Sequence, residues 1–160
     1  MKQSKWIIYI TASLVLGFTA SVLLAQAADP VNGTWVLNIS KSKFTTLPAP
    51  KSQTRTIEVV GDRITYTAKG IGSDGKPTLV QFTANFDGKD YPITGSPNSD
   101  TISLKRIDKF STESVEKKNG KVVSRNRRVV STDGKVMTGT SQFTNEKGET
   151  GTNVLVFDKK

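Results

Sequence analysis

Cysteine and histidine are both missing from the 160 residues. Without cysteine there is no disulfide framework, no thiol nucleophile, no lipid-bearing cysteine and no thiolate-ligated metal. Without histidine there is no Ser-His-Asp triad, no His-ligated haem and none of the common zinc sites. Helical periodicity is lacking as well, since no stretch after residue 27 keeps an apolar face at helical spacing. Acidic residues are the scarcer charge, 14 against 23 Lys+Arg, for a net +9. Six of the fourteen carboxylates fall in turn signals, where Asp is locally favoured: Asp62, Asp74, Asp87, Asp100, Asp133 and Glu146. Glu58, Glu113 and Glu116 lie on strand-like runs without a recognisable acid/base pairing. Neither a two-carboxylate hydrolase nor an Asp-rich calcium loop is signalled. The expectation is a protein with no catalytic residues, no cofactor and no metal.

What is present begins with a targeting segment. A short basic start, Met1 to Lys5, precedes an apolar stretch from Trp6 to Ala25, which ends in Ala25-Gln26-Ala27. That small-x-small triplet is a signal-peptidase site, so residues 1–27 read as a secretory signal. Cleavage would leave 133 residues as one domain and, by removing Lys2 and Lys5, lower the net charge to +7. The rival reading is an uncleaved anchor, because the stretch approaches the roughly 20 residues that span a bilayer. Both place the domain outside the cytoplasm, periplasmic or secreted. After cleavage no stable membrane span is expected.

The remainder reads as short β-strands separated by turn signals. Runs rich in Val, Ile, Thr and aromatics alternate with Gly61-Asp62, Asp87-Gly88, Asn119-Gly120 and Asp133-Gly134. Within Thr78 to Phe86, Val80, Phe82, Ala84 and Phe86 face one way, and Leu79, Gln81, Thr83 and Asn85 the other. Gly33 to Ser40 forms the first run, with Trp35, Leu37 and Ile39 on one face. Consecutive hairpins make antiparallel neighbours, and a sheet this long must close or split to hide its edges. Hairpin loops nearly throughout favour closure over a sandwich. The expected fold is all-β, a single up-and-down antiparallel barrel of about 8–10 strands, monomeric.

Gly33-Thr34-Trp35, near the start of the domain, resembles the G-x-W motif that opens the first strand of the calycins, the lipocalins and fatty-acid-binding proteins. Val156-Phe157-Asp158-Lys159 is similar to their closing strand. Asp87 to Pro92, Ser103 to Arg106 and Arg127 to Ser131 resemble small secreted bacterial proteins described as lipocalin-like. The resemblance implies a barrel whose floor is plugged by Gly33 and Trp35, and a small ligand inside. Departures are clear. Pro48 and Pro50 leave no room for a helical lid between Lys41 and Gln53, and Leu155 stands where fatty-acid-binding proteins place an inward Arg.

Candidate ligand-binding residues follow from alternation. Arg125 and Arg127 share one face of their strand and Arg128 takes the other, so at least one should approach the lumen or its rim. An inward guanidinium needs an anion, which could be a ligand carboxylate or phosphate, or an Asp or Glu of the chain. Tyr66, Phe82 and Phe86 either pack a solid core or line an apolar cavity, with Phe143 and Phe157 beside them. The expected function is binding a small apolar or amphipathic ligand, hydrophobic or anionic. The alternative is a non-catalytic envelope interaction module with a filled barrel core. The basic stretches lack the interleaved aromatics of single-strand binding, so no nucleic-acid partner is expected.

Overall fold

The computed structural model describes residues 28–45, 48–144 and 148–160; the expected signal segment, 1–27, lies outside them. Ten strands run in chain order: β1 Gly33–Leu37, β2 Ser52–Val60, β3 Arg63–Ile71, β4 Pro77–Asn85 and β5 Tyr91–Thr94, then β6 Thr101–Arg106, β7 Ser111–Lys118, β8 Lys121–Val130, β9 Val136–Thr144 and β10 Thr150–Lys159. Each pairs antiparallel with its neighbours in sequence, and β1 pairs with β10 to close the ring. The protein is therefore a closed ten-strand up-and-down barrel, at the upper end of the strand count expected from the sequence. Closure removes the free sheet edges that an open meander would expose.

Local chemistry explains where the strands stop. The first strand ends at Leu37, three residues short of the apolar run. There the Asn38 side chain accepts a hydrogen bond from the Lys41 amide at 3.2 Å and caps a 3-10 turn over Ile39–Lys41. Such side-chain to backbone bonds compete with the ladder. Ile39 consequently leaves the face of Trp35 and Leu37 and is 41% exposed. Proline at the start of β4 costs no ladder bond. Strand β5 is short. It registers with β4 only at Gln81↔Thr94 and Phe82↔Ile93, and with β6 only at Tyr91↔Ile102 and Pro92↔Thr101.

One end of the barrel is solid. Trp35, Ile57, Ile64, Leu104, Met137 and Phe157 form its fully buried centre. The indole Nε1 of Trp35 donates to the Val31 carbonyl at 2.8 Å, and the Lys159 ammonium lies 5.0 Å above the ring. Gly33 is required here. Its φ is +129°, and a Cβ would come within 2.9 Å of the Lys159 side chain. The segment before β1 crosses this floor, with Asn32 bonding both the amide and the carbonyl of Val59.

Asp29 adds an ion pair with Arg106 at 2.7 Å, and the Arg106 guanidinium lies 4.3 Å from the Phe86 ring centre. The two side chains are only 14% and 27% exposed, so this pair is better shielded than an ordinary surface bridge. Asp29→Ala should therefore lower the unfolding free energy by about 1–3 kcal/mol. Urea titration checks this, and an unchanged midpoint would show that the contact contributes nothing.

Candidate functional site

Above the floor the inward side chains divide into two kinds. On β3 to β6 they are aromatic or aliphatic: Tyr66, Val80, Phe82, Ile93 and Ile102. Tyr66 and Phe82 face each other across β3 and β4, with ring centres 4.6 Å apart and planes at 12°. On β7 to β9 the inward positions are mainly polar. Three registered layers stack upward: Thr112, Arg128 and Gly139; then Ser114, Asn126 and Ser141; then Glu116, Ser124 and Phe143. Between the two walls lies a chamber of about 120 Å³. It opens into a vestibule of about 380 Å³, which shares with it Arg55, Ser96, Glu116, Asn126, Ser141 and Leu155. The lumen is thus open, apolar on one side and polar on the other.

Two guanidiniums enter this space. Arg128 projects from β8 to lie 5.7 Å from the Tyr66 ring centre. Arg55 projects from β2, 6.0 Å from the same ring and 4.0 Å from that of Phe157. Gly139 faces Arg55 across the lumen, and a Cβ there would stand 3.9 Å from its Nη1. Arg55 Nε is satisfied by the Gln53 side chain at 3.0 Å. Arg128 is different. Although the residue is half-buried as a whole, its Nη1 has essentially no solvent exposure and no hydrogen-bond partner among the described residues. Its cross-strand neighbours, Thr112 and Gly139, carry no charge to offset it.

The only inward carboxylate among the chamber residues is Glu116, and it is occupied elsewhere. Ser99 Oγ donates to one oxygen at 2.9 Å and Asn126 Nδ2 to the other at 3.2 Å. Asn126 also donates to Ser114 at 3.3 Å and accepts from Ser124 at 3.0 Å. The Asn126 layer therefore separates Glu116 from Arg128 along the barrel wall. Burial pushes the Arg128 pKa down to about 10, opposed by Tyr66, assisted by the like charge of Arg55 and opposed by Glu116. At neutral pH the group remains a cation. A buried cation without a bonded counter-ion is costly unless something supplies the negative charge.

Set against known families and curated proteins, the chain matches no family model and no curated protein. The chemistry of the lumen therefore carries the functional reading.

Of the residues singled out in the sequence, Tyr66, Phe82 and Arg128 come together at the chamber. Arg125 and Arg127 point outward; the Arg127 guanidinium pairs with Glu113 at 3.0 Å on the outer surface. Phe86 lies toward the floor under Arg106 and lines no part of the chamber. Phe143 stands at the vestibule. Arg55, Asn126 and Ser99 were not singled out. Arg55 is in phase with the buried Ile57 and Val59, so alternation alone places it inward. No metal-ligating cluster of three or more His, Cys, Asp or Glu occurs among the described residues.

Proposed function

We propose that the protein is an exported, lipocalin-like barrel that binds a small amphipathic ligand. The ligand's apolar body rests on the Tyr66–Phe82 wall, and its anionic head meets Arg128 and Arg55. The observation that carries this reading is the buried, unpartnered Nη1 of Arg128. Three further features support it. The lumen is open, its two walls differ in polarity as the two ends of an amphiphile do, and its mouth is continuous with the chamber. The closed barrel and the Gly33-Thr34-Trp35 opening are compatible with the calycin resemblance. Export rests on the N-terminal sequence alone.

Native mass spectrometry with solvent extraction tests the reading on protein expressed from its full-length sequence and purified as the cell processes it. A reproducible organic anion released from the barrel is the expected result. Repeated emptiness, with no binding of short alkyl carboxylates or sulfates in calorimetry, would overturn it.

The pH profile is a sharper check. An anion favours the charged form of Arg128, so the bound pKa exceeds the free value of about 10. Affinity for hexyl sulfate should be flat between neutrality and pH 9 and fall as pH rises through about 10. Hexanol, which carries no charge, should show no such fall while the fold is intact by circular dichroism. Equal profiles for the two would remove Arg128 from the site.

A further inference from the structure

We propose that Glu116 sets the charge of the ligand, so that the chamber selects a singly charged anion over a doubly charged one. This deepens the reading given above and rests on it. Charge balance inside the barrel decides which anion fits. Four ionic residues, Arg55, Glu116, Arg127 and Arg128, border the chamber, and all but Arg127 turn their charged groups into it. The guanidinium of Arg127 is turned outward onto Glu113. Lys118 belongs to the vestibule, where its ammonium donates to the Pro97 carbonyl at 3.3 Å. The chamber itself therefore carries two positive charges and one negative.

Glu116 is not spent as a contact partner of either arginine. Both its oxygens accept hydrogen bonds, from Ser99 and from Asn126. Ser99 is 2% exposed and is tied to Ser96 at 2.8 Å, while Asn126 is braced by Ser114 and Ser124. Each carboxylate oxygen thus meets a donor rather than another acceptor, which fixes the group in place. Fixed by this network, it acts on the chamber through its field, which is weakly screened away from bulk water. One negative charge on the ligand brings the chamber to neutrality. A second has no cation left to offset it and is repelled by Glu116.

The test compares three probes of one chain length: hexanoate, hexyl sulfate and hexyl phosphate. At pH 8 the first two are monoanions, whereas the phosphate head is largely dianionic, its second pKa lying near 6. Calorimetry should find the monoanions bound at least about tenfold more tightly. Between pH 5 and pH 8 the wild-type protein should lose affinity for hexyl phosphate as its second proton leaves, while hexyl sulfate binding stays constant. This needs no mutant. In Glu116→Gln, which keeps an acceptor and removes the charge, the monoanion preference should shrink about tenfold or invert. Glu116→Asp, retaining the charge, should keep it. Melting curves establish that both variants fold.

Three results overturn the inference: the wild-type protein binding hexyl phosphate as well as hexyl sulfate at pH 8, a pH-independent affinity for the phosphate, or a Glu116→Gln protein with an unchanged ratio. Failure of all three probes to bind the wild-type protein at millimolar concentration is a separate outcome. It overturns the proposed function, and this inference with it.

Discussion

Trp35→Ala should lower the free energy of unfolding by about 3–5 kcal/mol, the range for deleting a large aromatic from a packed interior. Trp35 has no solvent exposure, and three kinds of contact converge on it. Ile57, Ile64 and Phe157 belong to the same buried cluster. The indole N–H satisfies the Val31 carbonyl, and Lys159 lies over the ring. The alanine variant therefore creates a void, leaves a carbonyl without its donor and removes the surface on which Lys159 rests. Against a total stability of about 5–15 kcal/mol, such a loss leaves the domain marginal. Trp35→Phe should cost less, because most of the volume remains and only the hydrogen bond is lost. Denaturant unfolding followed by far-UV circular dichroism measures both, since the alanine variant removes one of the two tryptophans that a fluorescence signal would rely on. A change below about 0.5 kcal/mol would mean that the indole is not inside.

Arg128→Met should make the protein more stable and less able to bind. The guanidinium lies 5.7 Å from the Tyr66 ring centre with Nη1 unbonded, and the residue's cross-strand partners, Thr112 and Gly139, are uncharged. An apolar side chain of similar length keeps the packing and removes a desolvated charge, an exchange that in comparable cases gains about 1–4 kcal/mol. The same change removes the one cation in the chamber that lacks a partner of its own. Affinity for hexyl sulfate should fall by about two orders of magnitude, the loss expected when a charge-assisted contact worth about 2–3 kcal/mol disappears. Opposite signs for stability and binding are the mark of a residue kept for a ligand at the expense of the fold. The discriminating outcome is a variant that is less stable than the wild type. That would make Arg128 a structural residue and leave the chamber without its anion site. Arg125→Met, an outward change on the same strand, should alter neither quantity appreciably.

The difference between what sequence could and could not reveal follows from how each side chain is used. Fold class was legible because turn dipeptides and alternation are local signals, and closure follows from the need to hide edges. Trp35 and Leu37 sat in phase with obvious apolar neighbours. Ile39 broke that phase because Asn38 prefers a cap to a ladder, a competition between neighbours that alternation cannot register.

The polar wall was the hardest part to see. In β8 both alternating faces carry valines, Val122 and Val130 in phase with Arg128 and Val123 and Val129 in phase with Arg125 and Arg127, so apolar phase could not say which way Arg128 turns. In β7 the inward set of Thr112, Ser114 and Glu116 contains no large apolar residue, so its sequence shows no core face. A lumen that mixes charge with aromatic surface blurs the very contrast by which inner positions are recognised. For Phe86, apolar phase predicts that it points in but not how far down the barrel it sits.

The meeting of the segment before β1 with the end of β10 at the floor has a practical corollary. Lys159 Nζ bonds the Pro30 carbonyl, and the Lys160 amide donates to the Thr34 carbonyl at 2.9 Å. A short linker could therefore splice Lys160 to Ala28 with little loop-closure entropy. The circle so made could be cut at Asn119-Gly120, where the glycine has open space about it, without severing a rung of the barrel. Such a circularly permuted chain would present its new ends beside the entrance, a natural place for a reporter that senses whether the interior is occupied.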